Sequence, residues 1–115
     1  MSAFTEFERA VLEMLLASRM GVEQIGNLLD TAQLCSLEHT GVGYYLTVRH
    51  PTISNRRVVC HKPLVRGKAD GVEVGFVAFL EHGELTLECH SFGDDVVPDD
   101  FRNKVLEIWA GDDTV

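Results

Sequence analysis

The chain has 115 residues, 45% apolar and 24% charged, the size and mixture of one folded domain spanning 1–115, which excludes a disordered acidic chain. Its formal net charge is −8, which weighs against a nucleic-acid-binding module. No apolar run reaches the roughly 18 residues of a membrane span, and residues 1–6 lack the basic start of a secretion signal.

The first element reads as a helix. Phe4, Phe7, Val11, Met14, Leu15 and Ser18 fall on one helical face, and Glu6, Glu8, Arg9, Glu13 and Arg19 fall mostly off it. Ser2 or Thr5 is the expected cap, and Thr5 with Glu8 three residues later has capping-box spacing. Gly21 is the expected stop, with Arg19 in the last turn. Residues 22–33 repeat the spacing with Val22, Ile25, Leu28, Leu29 and Ala32, and give a second, shorter helix weakened by Gly26.

Strands follow. A short one is expected at 34–39. Residues 41–48 are rich in aromatic and β-branched types, with Tyr44, Leu46 and Val48 on one face and Tyr45 and Thr47 on the other. Pro51 ends that strand and 50–55 form a loop. Residues 57–61 predict a short strand with Pro63 at its edge or end. Asp70-Gly71 is a turn signal. Residues 72–80 are apolar on both faces and predict a central strand packed on both sides. His82-Gly83 reads as a two-residue hairpin turn, and 84–91 return with Leu85, Leu87 and Cys89 alternating against Glu84, Thr86, Glu88 and His90. A loop with one helical turn near Pro98 precedes residues 105–109, a last strand or a short helix, with strand the preferred reading. The expected fold is α+β: one or two N-terminal helices on one face of a mainly antiparallel sheet of about four to six strands.

Charge is polarised along the chain. Residues 1–80 hold eight acids and eight Lys/Arg, whereas 81–115 hold ten acids against Arg102 and Lys104. Between Glu38 and Asp70 there is no acid and there are six cations, Arg49, Arg56, Arg57, Lys62, Arg66 and Lys68. That basic stretch either pairs with the acidic part inside the fold or meets it in a second copy.

Catalytic signals are weak. Cys35-x-x-x-His39, Cys60-His61 and Cys89-His90 lack the spacing of a zinc site, because strand neighbours point to opposite faces. No metal and no cofactor are expected. Cys60, beside Arg57, His61 and Lys62, is the best nucleophile candidate, while acids around Cys89 blunt it. An odd number of cysteines suits reduced thiols in a cytoplasm. The Asp pairs 94–95, 99–100 and 112–113 lack the calcium-loop pattern, and Gly41-Val-Gly43 lacks the third glycine of a dinucleotide loop.

Three segments carry a resemblance: Thr40-Gly-Val-Gly-Tyr-Tyr, Val74-Gly-Phe-Val-Ala-Phe-Leu-Glu-His-Gly-Glu-Leu-Thr-Leu-Glu, and Ser91-Phe-Gly-Asp-Asp followed by Pro98. Over roughly residues 31–101 the chain resembles a group of small uncharacterised bacterial proteins that share a TGVGF/Y segment and a GF…F…G.L..LE…YG…P segment. The resemblance implies a bacterial, cytoplasmic, single-domain protein, and carries no activity and no site residues.

Two functional expectations follow. The first is a non-enzymatic binding protein, of immunity type in one form, that presents Glu84, Glu88, Asp94, Asp95, Asp99 and Asp100 to a basic protein partner. The second is a small-molecule-binding domain or small enzyme whose pocket, between helices and sheet, gathers Tyr44, Tyr45, Cys60, His61 and His90. A homodimer accompanies either, through an open strand edge or through the basic stretch.

Overall fold

A computed structural model describes residues 2–93 and 95–111. Two helices, α1 (Glu6–Leu16) and α2 (Val22–Thr31), precede six strands: β1 (Gln33–His39), β2 (Gly43–Arg49), β3 (Val58–Ala69), β4 (Val72–Glu81), β5 (Glu84–Ser91) and β6 (Glu107–Gly111). A short 3-10 turn, Phe101–Asn103, leads into β6. The strands form one sheet in the order β1-β2-β5-β4-β3-β6, with every neighbouring pair antiparallel. The fold is α+β, with N-terminal helices on an antiparallel sheet. Among the described residues no helix is long and apolar enough to cross a membrane.

The centre of the sheet is built locally. β3, β4 and β5 run as a meander through two tight turns, Asp70-Gly71 and His82-Gly83. All four turn residues have positive φ, between 52° and 81°. Paired left-handed residues match the right-handed twist of the flanking strands, which is why X-Gly serves at both places. β2 then pairs with β5 across a long connection, from Gly43 opposite His90 to Arg49 opposite Glu84. At Gly43 a Cβ would lie 1.8 Å from the Cys89 carbonyl oxygen, so only glycine lets the two backbones approach there.

Strand alternation divides the sheet into two faces. One face carries Tyr44, Leu46 and Val48 from β2, Leu85, Leu87 and Cys89 from β5, and Val74, Phe76, Ala78 and Leu80 from β4, all buried. Against it lie Phe7, Val11, Leu12, Leu15 and Leu16 of α1 and Ile25, Leu28 and Leu29 of α2. α1 rests on β3, β4 and β6, and α2 leans on α1.

Several local expectations need correction. α1 stops at Leu16, where the Leu16 carbonyl accepts from both Arg19 and Met20 amides in a turn. Gly21 therefore caps the start of α2 instead of ending α1, and Ser18 is exposed. Pro63 does not close a short strand. β3 runs on for twelve residues, and Pro63 sits in the irregular stretch between Cys60 and Val65, where no ladder donor to β4 is needed. The last strand begins at Glu107, two residues later than expected, and leaves Val105 in solvent. β4 is central but packed on one side only: among the described residues neither helix covers its second face, where Val77 and Phe79 are half-buried by neighbouring strands.

Candidate functional site

The uncovered face of the sheet follows from the same alternation. β2 contributes Tyr45, Thr47 and Arg49; β5 contributes Glu84, Thr86, Glu88 and His90; β4 contributes Glu73, Gly75, Val77, Phe79 and Glu81. Opposite them β1 adds Glu38, β3 adds Val59, Arg66 and Lys68, and β6 adds Glu107 and Trp109. The described strands thus place six glutamates and three cations on one side, and the face is acidic.

Its side chains are organised across strands. The Tyr45 hydroxyl donates to Glu88 Oε2 at 3.2 Å, and Glu38 lies directly opposite Tyr45 on β1. The charge of Glu88, its hydrogen bond and the nearby charge of Glu38 all push the Tyr45 phenol above its ordinary pKa. Thr47 and Thr86 share a hydrogen bond of 2.9 Å. Arg49 pairs with Glu84 and Arg66 with Glu73, each at 3.5 Å. Phe92 folds back over Gly75, where a Cβ would meet its ring at 2.9 Å. The Arg66 guanidinium sits 4.9 Å from the Phe92 ring centre, and His90 meets that ring edge-on at 5.6 Å.

Of the acidic residues singled out above, Glu84 and Glu88 project from this face. Asp95, Asp99 and Asp100 do not join them. They are exposed in the segment after β5, which the Val97 amide ties to the Gly41 carbonyl at the other end of β2 from Glu84. Asp99 there approaches His39 at 3.9 Å. Asp94, Asp112 and Asp113 lie outside the described residues.

The five polar residues assigned to a pocket are spread over three places. Tyr45 and His90 stand on the uncovered face. Cys60 and His61 lie on β3, beside the turn after α1, in a hollow shared with Arg19. Tyr44 is buried under α1, where its hydroxyl donates to Glu8 Oε2 at 2.6 Å. Burial, followed by the Glu8 charge, pushes the Tyr44 phenol far above its ordinary range. Burial likewise pushes up the Cys89 thiol, with Glu8 and Glu88 adding to the effect, and the Cys60 thiol, which Arg19 partly offsets. Protonated thiols are poor nucleophiles.

Glu8 and Arg102 form the polar centre between helix and sheet. Arg102 donates Nε to Glu8 Oε2 at 2.7 Å and Nη2 to Glu8 Oε1 at 2.8 Å, and Nη2 also reaches the Ala3 carbonyl. Glu8 in addition accepts the Thr5 amide at 2.8 Å, one half of a capping box. The spacing Thr5-x-x-Glu8 did signal this carboxylate. No local pattern pointed to Arg102, which lies 94 residues away. Beside the pair runs a cleft of about 370 Å³ between the start of α1 and residues 102–108, lined in part by Thr5, Phe7, Arg102, Leu106 and Ile108. None of the five assigned pocket residues lines it.

No family model, curated protein or solved structure matches this chain. Among the described residues no three His, Cys, Asp or Glu side chains gather as a metal centre requires.

Proposed function

We propose that this is a non-enzymatic binding protein that holds a basic protein partner against the uncovered face of its sheet. The observation that carries the reading is Tyr45, half-exposed on that face one strand in from its β1 edge and flanked by Glu38 on one strand and Glu88 on the other. An aromatic anchor ringed by carboxylates suits a partner rich in Arg and Lys, since tyrosine is favoured at interface centres and complementary charge steers encounter. Six strands about 4.8 Å apart span roughly 24 Å, wide enough for a protein footprint. An immunity-type inhibitor that covers the basic active site of a nuclease would use such a face. The three unpaired cysteines suit the reducing bacterial cytoplasm in which we place the protein.

The test is native mass spectrometry of the purified chain with the products of adjacent genes, at low and high salt. Retention of a basic partner at low salt, lost in Glu38→Lys/Glu88→Lys, supports the reading. No retained partner, or retention indifferent to those substitutions, overturns it.

A second reading, a small-molecule site, is favoured by the cleft between α1 and residues 102–108. Its volume falls in the usual range for ligand pockets, and apolar Phe7, Leu106 and Ile108 face polar Thr5 and Arg102. A metabolite that raises the melting temperature of the wild type but not of Leu106→Trp would favour it. Self-association would use β1, an edge strand with all seven residues exposed.

A further inference from the structure

The basic stretch is only partly neutralised by the fold. Arg49 and Arg66 face glutamates on neighbouring strands. Arg56 and Arg57, however, line a hollow of about 310 Å³ together with Arg19, from the turn after α1, and with Val58 and Val59. Among the described residues none of the three has a carboxylate within ion-pair distance. Glu81, the acid at that end of β4, is turned to His82 at 3.5 Å. Arg19 also borders the adjoining hollow beside Cys60, His61 and Lys62. Three arginines that line one hollow, with no carboxylate among the described residues paired to them, repel one another, and an anion between them relieves the repulsion.

The backbones that carry these arginines are fixed. His50 is buried, and its ring bonds Thr31 and Thr52, each at 2.8 Å. Ile53 is buried in the core. Ser54 accepts the Gly83 amide at 3.1 Å through its carbonyl and the Arg56 amide at 3.3 Å through its hydroxyl. Arg19 is pinned through its amide to the Leu16 carbonyl at 2.9 Å. The loop and the turn thus present the arginines from fixed points, which lowers the ordering cost of binding.

We propose that this hollow binds the phosphate groups of a small phosphorylated molecule. Guanidinium forks pair with phosphate oxygens two at a time, and several donors around one concave site suit a multiply charged group. The volume is about ten times the roughly 30 Å³ share of one water, which leaves room for a diphosphate. A nucleic-acid strand fits less well. Among the described residues no aromatic ring lines the hollow for bases to stack on, and the acidic remainder of the surface repels a long polyanion.

The test is calorimetric titration of the whole chain with inorganic pyrophosphate, with ATP and a short single-stranded oligonucleotide as further arms. Arg19→Gln, Arg56→Gln and Arg57→Gln are each expected to weaken pyrophosphate binding by about tenfold. Arg49→Gln, which removes a cation already paired with Glu84, is expected to stay within about twofold. All four positions are exposed, and far-ultraviolet circular dichroism checks that the variants fold. Saturable pyrophosphate and ATP binding lost in the triple variant supports the proposal. Absent binding, binding that survives the triple variant, an equal loss in Arg49→Gln, or binding of the oligonucleotide alone overturns it.

Discussion

Arg102 grips both carboxylate oxygens of Glu8, at 2.7 and 2.8 Å, and so joins the segment before the last strand to the first helix. Glu8 is fully buried and Arg102 is partly buried. Removing one partner leaves the other charged and unpaired in the interior, a loss of about 3–5 kcal/mol. Arg102→Ala is expected to lower unfolding stability by that amount in urea titration. Arg102→Lys should recover little, because an ammonium cannot reproduce the two-pronged contact. A loss below about 1 kcal/mol would show that the pair is not structural.

Alkaline pH should unfold the protein early. The folded state holds the Cys89 and Cys60 thiols and the Tyr44 phenol above their ordinary values of 9.0 and 10.0. The unfolded chain gives up these protons first, so each contribution is complete below the unfolded value and declines as pH rises past it. Stability should therefore hold to about pH 9 and then fall by up to about 1.4 kcal/mol per pH unit for each such group. Urea midpoints from pH 8 to 11 measure the fall, and Tyr44→Phe should make its part above pH 10 shallower. An unchanged slope in that variant would exclude Tyr44 as the source.

The thiols should separate by access. Cys35 is exposed on the edge strand, while Cys60 and Cys89 are buried. A chromogenic disulfide reagent at pH 8 should titrate one thiol in the folded protein and all three in denaturant. Fast reaction of a second thiol, absent from Cys60→Ser, would show that Arg19 activates Cys60 after all.

Gly43→Ala should disrupt the β2–β5 pairing. Backbone blocks the new methyl group, at 1.8 Å from the Cys89 carbonyl oxygen, and no side chain can move aside to admit it. A loss of about 3 kcal/mol or more is expected. Gly26→Ala, with open space around its Cβ inside α2, should instead raise stability by up to about 1 kcal/mol. Equal melting temperatures for the two variants would contradict the close approach.

Much of this architecture was legible because its signals are local. Alternation in 84–91 and the X-Gly dipeptides at 70–71 and 82–83 specify strands and turns through contacts a few residues long. β3 was harder: Pro63 reads as a stop, and only the place of Val58–Ala69 between β4 and β6 shows that the ladder resumes beyond it. Glu8 looked like a solvent-facing helix charge, since helical spacing cannot know that Arg102 and Tyr44 will arrive above it. The acidic candidates were gathered by closeness in sequence, yet Glu84 and Asp99 belong to different parts of the surface. The uncovered face was hidden for the opposite reason. Val77 and Phe79 are apolar enough to suggest a second layer, yet they are only half-buried and neither helix covers them.

The Glu8–Arg102 clasp also bears on how the chain is made. α1 leaves the ribosome early, carrying a carboxylate that the finished fold encloses. The guanidinium that makes this enclosure tolerable is translated 94 residues later. A nascent chain stalled before Arg102 has every residue of the central meander but no cation to let Glu8 dock. Its first helix should therefore stay loosely held, and open to proteases or chaperones, until synthesis is almost complete.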